Sequence, residues 1–393
     1  MSKYGRFFDT SSHNVYVMNI SGDDDSQMTL PLASGFDRET PYNALPVLPP
    51  KRDLETVRTL KKAIGANKAL AELRGIGQLI PYQGVLIRAI VLQEAKLSSE
   101  IENIVTTNDQ LYRGFSDDPS ESDPSTKEVL RYEEALWCGF QHLRNGRPLS
   151  ASLFVELVQI IKQASIGIRT MPGTQIVNER TRAPIYTPPV GELFIRRLLD
   201  NLSDFLYATD PTDPLIKMAV AHYQFEAIHP FSDGNGRTGR VLNILYLVDR
   251  GLLDLPVLYL SRHILEHKAD YYSGLRQVTE EGSWEDWIVY MLEALEVTAI
   301  DTRNRVLQIR QALDTAIAEA KAKMSRGYSK ELIELVFEQP YSRIRFLESR
   351  NIAKRQTASE YLKELHRIGL LRPIKRGREL YYVNDTLMKI LTR

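Results

Sequence analysis

Cysteine is nearly absent from this sequence, because Cys138 is alone among 393 residues. A single cysteine cannot form a disulfide within the chain, so a disulfide framework is excluded, and we expect its thiol to be buried as a small apolar group. Net charge is absent as well, since 50 Lys and Arg residues balance 50 Asp and Glu residues. Overall charge therefore indicates neither a nucleic acid nor an acidic surface as a partner.

Long hydrophobic runs are also missing. No segment approaches the roughly 18 uninterrupted apolar residues of a transmembrane helix, and the N-terminus lacks the basic start and apolar stretch of a signal peptide. We therefore expect a cytoplasmic protein that does not bind membranes. The 43% hydrophobic and 25% charged residues are typical of globular proteins, and a length of 393 residues predicts two or three domains.

Helical periodicity, by contrast, is abundant. Apolar residues recur every three or four positions from residue 53 onward, which predicts a mainly α fold around a helical bundle, and a first helix is expected to end at Gly75 and Gly77. The exception is 168–190, whose Gly, Pro and β-branched residues predict a short β-hairpin, here called the flap. The predicted regions are an irregular lead-in at 1–50, an N-terminal helical region at 51–125, a central helical domain at 126–300, a helical linker at 301–325 and a C-terminal domain at 326–393.

The C-terminal domain has the predicted element order of a winged helix. Two helices, at 329–340 and 353–369, precede two strands that surround a KRGRE turn. Residues 326–393 hold 15 Lys and Arg residues against 8 Asp and Glu residues, and a basic surplus is the footprint expected of a nucleic-acid-binding domain. DNA is therefore one expected partner. A protein-interaction or regulatory lobe is the alternative, because surface Lys and Arg residues are common.

The segment IHPFSDGNGRTGR, at 228–240, concentrates chemically useful side chains. Helical periodicity on both sides places SDGNG in a loop that leads into a helix N-terminus. Backbone N–H groups and the helix dipole attract anions there, and the glycines let a phosphate approach the main chain. Arg237 and Arg240 are three residues apart on one helix face. Two guanidiniums beside such a nest of amides suit a polyphosphate.

The other side chains of this segment supply reactive groups. A bound polyphosphate normally carries Mg²⁺, which prefers oxygen ligands, and Asp233 is the nearest acid. His229 can accept and return a proton near neutral pH. The segment therefore predicts phosphoryl or nucleotidyl transfer to a hydroxyl, with His229 as the base.

Three other interpretations compete with this one. The glycines also match the dinucleotide fingerprint GxGxxG, but that fingerprint follows a strand, and here a helix precedes it. His222, Glu226 and His229 share one helical face and could ligate zinc, although zinc would leave the glycines and arginines unexplained. A glycine-rich loop with solvated arginines is the third interpretation, which the density of complementary groups disfavours.

HPFSDGNGRTGR resembles the signature of the Fic family, H-x-F-x-[DE]-G-N-G-R-x-x-R, at every specified position. The resemblance implies a Fic helical bundle that transfers AMP from ATP to a Ser, Thr or Tyr hydroxyl of a protein target, the protein itself included, and releases pyrophosphate. The intact glycine and arginine core disfavours the phosphotransferring Doc branch. The implied roles are His229 as base, Phe231 as loop anchor, Asp233 as Mg²⁺ ligand, Gly234, Asn235 and Gly236 as phosphate cradle, and Arg237 and Arg240 as partners of the β- and γ-phosphates.

A second motif resembles an inhibitory segment, here called the brake. SSEIEN at 98–103 is similar to the inhibitory motif [ST]-x-x-x-E-[GN] of one class of Fic proteins, with Ser98, Glu102 and Asn103 at the specified positions. The resemblance implies that Glu102 pairs with Arg240 and holds ATP in an unproductive pose. A solvated polar helix face is the alternative interpretation.

The resemblance also implies how substrates bind. The flap is expected to pair with an extended segment of the target protein, a β-augmentation mode. Tyr271 and Tyr272 are candidates to line the adenine pocket, and Tyr272 is our choice. The family resemblance further implies a homodimer.

The leading hypothesis is thus an autoinhibited, magnesium-dependent protein adenylyltransferase. An enzymatic alternative uses the same site in reverse, with His229 and Asp233 activating water to remove AMP from a modified protein and Glu102 aiding catalysis. An alternative from another class is a DNA-binding regulator whose Fic core only senses a nucleotide.

Overall fold

The computed structural model describes residues 15–18, 36–78, 83–116, 122–178, 180–324, 327–376 and 379–392. In chain order its elements are β1 (Val15–Met18), α1 (Val57–Gln78), α2 (Gln83–Ile101), α3 (Asn108–Ser116), α4 (Pro124–Arg144), α5 (Ala151–Lys162), β2 (Gln175–Asn178), β3 (Pro184–Tyr186), α6 (Glu192–Tyr207), α7 (Pro214–Ile228), α8 (Asn235–Asp249), α9 (Leu260–Glu266), α10 (Lys268–Glu281), α11 (Trp284–Lys323), α12 (Lys330–Glu338), β4 (Tyr341–Ser342), α13 (Ile344–Ser349), α14 (Arg355–Arg367), β5 (Arg372–Arg376), β6 (Glu379–Val383) and α15 (Asp385–Thr392). The prediction of a mainly α-helical fold with short strands is confirmed.

Two compact units make up the chain. The first consists of residues 1–61, 148–242 and 267–292, and the second of 62–147, 243–266 and 293–393. Within the described ranges, no helix combines the length and apolar character needed to cross a membrane.

A small sheet in the first unit contains the two strands of the flap. Its strand order is β1-β2-β3, and β2 and β3 are antiparallel, with Ile176 opposite Tyr186, which confirms the hairpin predicted within 168–190. β1 pairs in parallel with the other edge of β2. The lead-in at 1–50 is therefore not irregular throughout. Four residues are too few for the alternation of a strand to stand out from the sequence.

The core of the first unit is built around α7. This helix is apolar on all sides, and nearly every one of its residues is buried, as expected for a helix without a polar face. It packs against α6, and the indole N–H of Trp287 donates a hydrogen bond to the carbonyl of Ala219 at 2.8 Å. The ring of Trp284 packs edge-on against Tyr223. Such packing fixes the position of the C-terminal end of α7, where His229 follows.

The second unit is organised around α2. This helix packs against α4, α9 and α12. Its Glu94 is buried, and the carboxylate accepts a hydrogen bond from the backbone N–H of Ser261 at 3.0 Å, in the first turn of α9. Cys138 of α4 is half-buried, which is more exposed than the sequence predicted. Because Glu94 satisfies an N–H group at the start of α9, it fixes how α2 and α9 pack together.

Some helix boundaries differ from the prediction. α1 runs through Gly75 and Gly77 to Gln78, and a Cβ atom at either glycine would meet no other atom within 4 Å. These glycines are tolerated in the helix at a cost of about 1 kcal/mol each relative to alanine. α11 is one helix of 40 residues that continues through most of the linker predicted at 301–325.

The C-terminal residues form helices and a three-stranded antiparallel sheet with the order β4-β6-β5. The two predicted helices correspond to α12 and α14, and the two predicted strands to β5 and β6, while two residues of the KRGRE turn lie outside the described part of the chain. α14 buries Ala358, Leu362 and Leu365 along one face. Arg355, Glu360 and Lys363 of the same helix are exposed.

Candidate active site

The site begins where α7 ends. His229 adopts the left-handed conformation, with φ 47° and ψ 59°, and its N–H donates to the carbonyl of Phe225 at 3.1 Å. Pro230 has no N–H group and cannot continue the helix. Residues other than glycine rarely adopt this conformation, so the turn at His229 is held by its surroundings. The side chain of His229 is 8% exposed.

Asn235 closes the loop that follows. Its side-chain oxygen accepts a hydrogen bond from the N–H of Phe231, and its side-chain nitrogen donates to the carbonyl of the same residue, both at 2.8 Å. Phe231 is fully buried, as the sequence predicted for the loop anchor. Gly234 has φ 83°, and a Cβ atom there would lie 3.0 Å from the side chain of Val158. Both polar atoms of the Asn235 side chain are thus used to shape the loop. A phosphate would therefore contact the backbone of the loop and not this side chain.

α8 directs its N-terminus into this loop. Residues 235–237 form its first turn, and the first N–H groups of a helix have no carbonyl partner within it. The N–H of Thr238 donates to the carbonyl of Gly234 at 3.0 Å, which closes the first helical hydrogen bond. The N–H groups ahead of it point toward the loop at the positive end of the helix dipole, an arrangement that suits an anion.

Both arginines of the segment are buried, each with 1% of its surface exposed. The guanidinium of Arg237 lies 3.7 Å from the carboxylate of Asp233. A buried charge is unfavourable unless other charges and hydrogen bonds compensate for it. Arg237 and Arg240 therefore give the first turns of α8 a strong positive potential that suits an anion.

Asp233 is the candidate magnesium ligand. Its half-exposed carboxylate lies 2.7 Å from the ammonium group of Lys162 on α5. Burial alone would raise the pKa of Asp233, but the charges of Lys162 and Arg237 outweigh burial and lower it, so the group is ionised at neutral pH. In the described ranges no cluster of three His, Cys, Asp or Glu side chains could hold a metal. One carboxylate at a phosphate site fits Mg²⁺, which is commonly held by one or two carboxylates and substrate phosphates.

The imidazole of His229 is neutral in the free protein. Burial is the main reason that its pKa falls to about 3, and the positive charge of Arg169 lowers it further. The alternative of a zinc site is disfavoured, because His229 lies beyond the helix that carries His222. The Nε2 atom of His222 is instead 2.8 Å from the hydroxyl of Tyr271. His222 and Tyr271 therefore belong to the core.

A largely apolar cleft lies beside His229 in the first unit. Flap strands and α10 form its walls, and Tyr272 contributes to the lining while Tyr271 is buried behind it. Glu226 and Ala227, one turn of α7 before His229, form part of the same wall. Such a cleft suits a flat aromatic ring. The complete lining is Phe36, Ile176, Ile185, Tyr186, Tyr223, Glu226, Ala227, Tyr272, Leu275, Arg276 and Thr279.

The motif at 98–103 ends α2 in the second unit. Ser98 is fully buried, and Glu102 and Asn103 follow the helix in an exposed turn. Asn103 has φ 60°, and the N–H of Ile104 donates to the carbonyl of Ser99 at 3.0 Å. Left-handed residues after a helix are usually Gly or Asn. The last position of [ST]-x-x-x-E-[GN] therefore accepts these two residues because it caps the helix.

Two residues at the site were not recognised from the sequence. Lys162 contacts Asp233, and Arg169 donates hydrogen bonds to the backbone at His229. Both precede the signature by 60 residues or more in the sequence. Nothing in their local spacing distinguishes them from surface cations.

Taken together, an open helix N-terminus, a neutral histidine and an aromatic-lined cleft form a candidate nucleotide site in a helical protein. Comparison with family models identifies the class. The "Fic/DOC family N-terminal" model matches residues 60–141, "Fic/DOC family" matches 148–247, and "Protein adenylyltransferase SoFic-like, C-terminal domain" matches 313–387. The chain belongs to the Fic/DOC family.

Known relatives match part of this chain in sequence. "Protein adenylyltransferase fic-1" of Caenorhabditis briggsae is 33% identical over 117 residues, 29% of this chain and 21% of the relative. "Protein adenylyltransferase Fic" of Culex quinquefasciatus is 40% identical over 146 residues, 36% of this chain and 27% of the relative. The chain thus spans only about a quarter of the length of these relatives.

Solved structures resemble the fold. A Fic family protein from Desulfovibrio desulfuricans G20 has a TM-score of 0.50 and 18% identity, covering 84% of this chain and 96% of that one. A Fic-domain signaling protein from Bacteroides thetaiotaomicron has a TM-score of 0.51 and 19% identity, covering 62% and 96%. At this identity the likeness concerns the fold alone.

Proposed function

We propose that this protein is an adenylyltransferase that transfers AMP from ATP to a hydroxyl group of a protein and releases pyrophosphate. The observation that carries the proposal is the turn between α7 and α8, where a neutral His229 lies beside a helix N-terminus with two buried arginines. The two relatives reported above are both named protein adenylyltransferases, which supports it.

Each residue has a distinct role in the proposed reaction. His229 accepts the proton of the target hydroxyl, whose oxygen attacks the α-phosphorus of ATP as the bond to the β-phosphate oxygen breaks. The phosphate charge of bound ATP raises the pKa of His229 from its low value in the free protein, which makes the imidazole a stronger base. Arg237, Arg240 and the first N–H groups of α8 stabilise the negative charge that develops on the leaving pyrophosphate.

Asp233 would hold Mg²⁺ together with the phosphates of ATP. The ion would neutralise phosphate charge and help to orient the nucleotide. Lys162, which pairs with Asp233 at 2.7 Å, keeps this carboxylate ionised and in place.

The cleft with Tyr272 would receive the adenine base, and the flap would receive the target. The edge of β2 that faces away from β3 can pair with an extended segment, because β1 already does so. A target segment would take the place of β1 and use the same backbone hydrogen bonds, which suits a site that accepts more than one sequence.

The experiment that tests the proposal uses ATP labelled at either end. The protein, with Mg²⁺, is incubated with a bacterial lysate and ATP carrying the label on the α- or the γ-phosphate. We expect label in protein from α-labelled ATP and none from γ-labelled ATP. The reverse pattern would indicate a kinase. The absence of both labels with the wild type and with Glu102→Gly would reject transfer in favour of AMP removal or nucleotide sensing.

We also propose that Glu102 restrains this activity. Its carboxylate would pair with Arg240 and occupy the donor needed by the γ-phosphate. The position of Glu102 supports the idea. This residue lies in an exposed turn just beyond α2, where the backbone is no longer helical.

DNA binding by the C-terminal region is a second candidate function, favoured by an exposed basic surface. Lys354 and Arg355 lie exposed at the start of α14, and Lys375 and Arg376 lie exposed at the end of β5. This arrangement of a helix N-terminus and a strand pair is consistent with a winged helix whose helix enters the major groove. Phosphate contacts of this kind make affinity depend on salt.

The DNA proposal predicts a change in salt dependence. Lys354→Ala/Arg355→Ala should weaken binding to a fluorescent duplex and reduce the slope of log K against log salt by about 2, because each lost phosphate contact contributes roughly 0.9. Lys51→Ala/Lys61→Ala, two exposed lysines of the N-terminal part, serves as control. Binding that is absent in the wild type, or equal slopes for both variants, would argue for a protein-interaction lobe instead.

A further inference from the structure

Four consecutive carbonyl groups, those of residues 227–230, each accept a hydrogen bond from the flap segment. The hydroxyl of Tyr186 donates to the first at 2.8 Å. The guanidinium of Arg169 donates to the second at 3.3 Å and to the third at 2.7 Å. The backbone N–H of Arg169 donates to the fourth at 2.9 Å. The last carbonyls of a helix need partners from outside it, and here two residues of the flap segment supply them.

From this geometry we propose that Arg169 is a positioning residue that fixes His229 for catalysis. The inference rests on the proposed function, in which His229 accepts the proton. His229 is held in a left-handed conformation, φ 47°, that it would seldom adopt alone. Arg169 bonds the carbonyl of His229 itself and both neighbouring carbonyls, so it restrains the backbone on each side of the imidazole.

An arginine suits this position better than any other cation. Arg169 is 6% exposed, and its guanidinium also donates to the carbonyl of Pro189 at 2.9 Å. Residues 169 and 189 lie on either side of β2 and β3 in the chain. The planar fork of donors can satisfy several carbonyls at once, which the single ammonium of lysine cannot do with the same geometry. Arg169 thereby joins both ends of the flap segment to the turn that carries the base.

The charge of Arg169 has a second effect on the same imidazole. Burial and, after it, this positive charge lower the pKa of His229, while the carboxylate of Asp233 acts in the opposite direction. Removing the guanidinium is therefore expected to move the His229 titration to higher pH. A residue that only stabilised the fold would leave that titration unchanged once the protein is folded.

The test separates charge from geometry with two substitutions. Arg169→Lys keeps the charge and loses the fork, and Arg169→Met loses both. Arg197→Met, an exposed arginine of α6 outside the flap, is the matched control. AMP transfer is measured in the more active of the wild-type and Glu102→Gly backgrounds, and the imidazole of His229 is titrated by NMR, with His229→Gln to assign its resonance. Thermal unfolding verifies that each variant is folded.

In Arg169→Lys we expect kcat to fall at least about tenfold, and in Arg169→Met further, while KM for ATP stays within about twofold. The His229 titration should move up by at least about one pH unit in Arg169→Met and by less in Arg169→Lys. Both readouts should be unchanged in Arg197→Met. A kcat within twofold of the parent in Arg169→Met, or an unmoved titration, overturns the proposal.

Two measures keep the result interpretable. If Arg169→Met does not fold, Arg169→Lys and Tyr186→Phe decide, since the latter removes only the hydrogen bond to the carbonyl of Ala227 and should lower kcat about threefold. Full activity in both would reject the proposal. If no form of the protein transfers AMP, the proposed function fails, and the NMR titration alone still shows whether Arg169 controls the environment of His229.

Discussion

Replacing His229 with alanine is expected to lower AMP transfer by a factor of about 10² to 10⁴, the range that a positioned general base contributes. Burial and the charge of Arg169 lower the pKa of His229 to about 3, so its imidazole is neutral and can accept a proton throughout the physiological range. Initial rates of label transfer from α-labelled ATP measure the effect. His142→Ala, a half-buried histidine outside the first unit, is the control and should transfer at the parent rate.

The phosphate-binding groups belong to other residues, so His229→Ala should still bind ATP with nearly unchanged affinity. The pH dependence provides an independent check. Because His229 of the free protein takes up a proton only near pH 3, kcat/KM should not fall between pH 7 and 5 on account of this group. The charge of bound phosphates raises its pKa, so kcat should begin to fall at a higher pH than kcat/KM. A His229→Ala variant that binds ATP and transfers AMP at the parent rate would refute the assignment.

The loop between α7 and α8 could be predicted from the sequence because its determinants are local. Pro230 ends one helix, Gly234 permits a positive φ in the loop, and the arginines follow at helical spacing, all within a dozen residues. The same holds for Asn103, whose conformation depends on its place after a helix end. Local chemistry of this kind is independent of how distant segments pack.

The residues that hold the loop could not be predicted, because they act through tertiary contacts. Arg169 bonds backbone carbonyls 60 residues away, and any arginine of the sequence could have done so. Lys162 is similar, since its partner Asp233 lies on another element. β1 was missed for a related reason: four residues gain their strand conformation from pairing with β2, not from their own pattern. A hydrogen bond from a distant side chain to a backbone carbonyl produces no periodic pattern in the sequence, so the sequence alone cannot reveal it.

The second large effect is expected at the brake. Glu102→Gly should raise AMP transfer by about ten- to a hundredfold, because a charge-assisted hydrogen bond contributes roughly 1.5 to 3 kcal/mol and each 1.4 kcal/mol is a factor of ten. The reason is electrostatic: in the proposed pairing the carboxylate occupies Arg240, and without it the buried guanidinium would be available to the γ-phosphate of ATP. Glu102→Gln keeps the shape of the side chain and removes its charge, so it should release most of the same activity.

Two controls separate loss of the brake from a general loosening of α2. Glu100 lies on α2, two residues before Glu102, and pairs with Lys96. Glu100→Gly places a glycine in the same helix and should not raise transfer. Glu102→Gly/Arg240→Ala removes both partners and should return activity to a low level, because the released donor is then missing. Equal rates in wild type and Glu102→Gly would rule out the brake. If Glu102→Gly instead lost the ability to remove AMP from a modified protein, the same carboxylate would be assisting hydrolysis, and the site would work in the reverse direction.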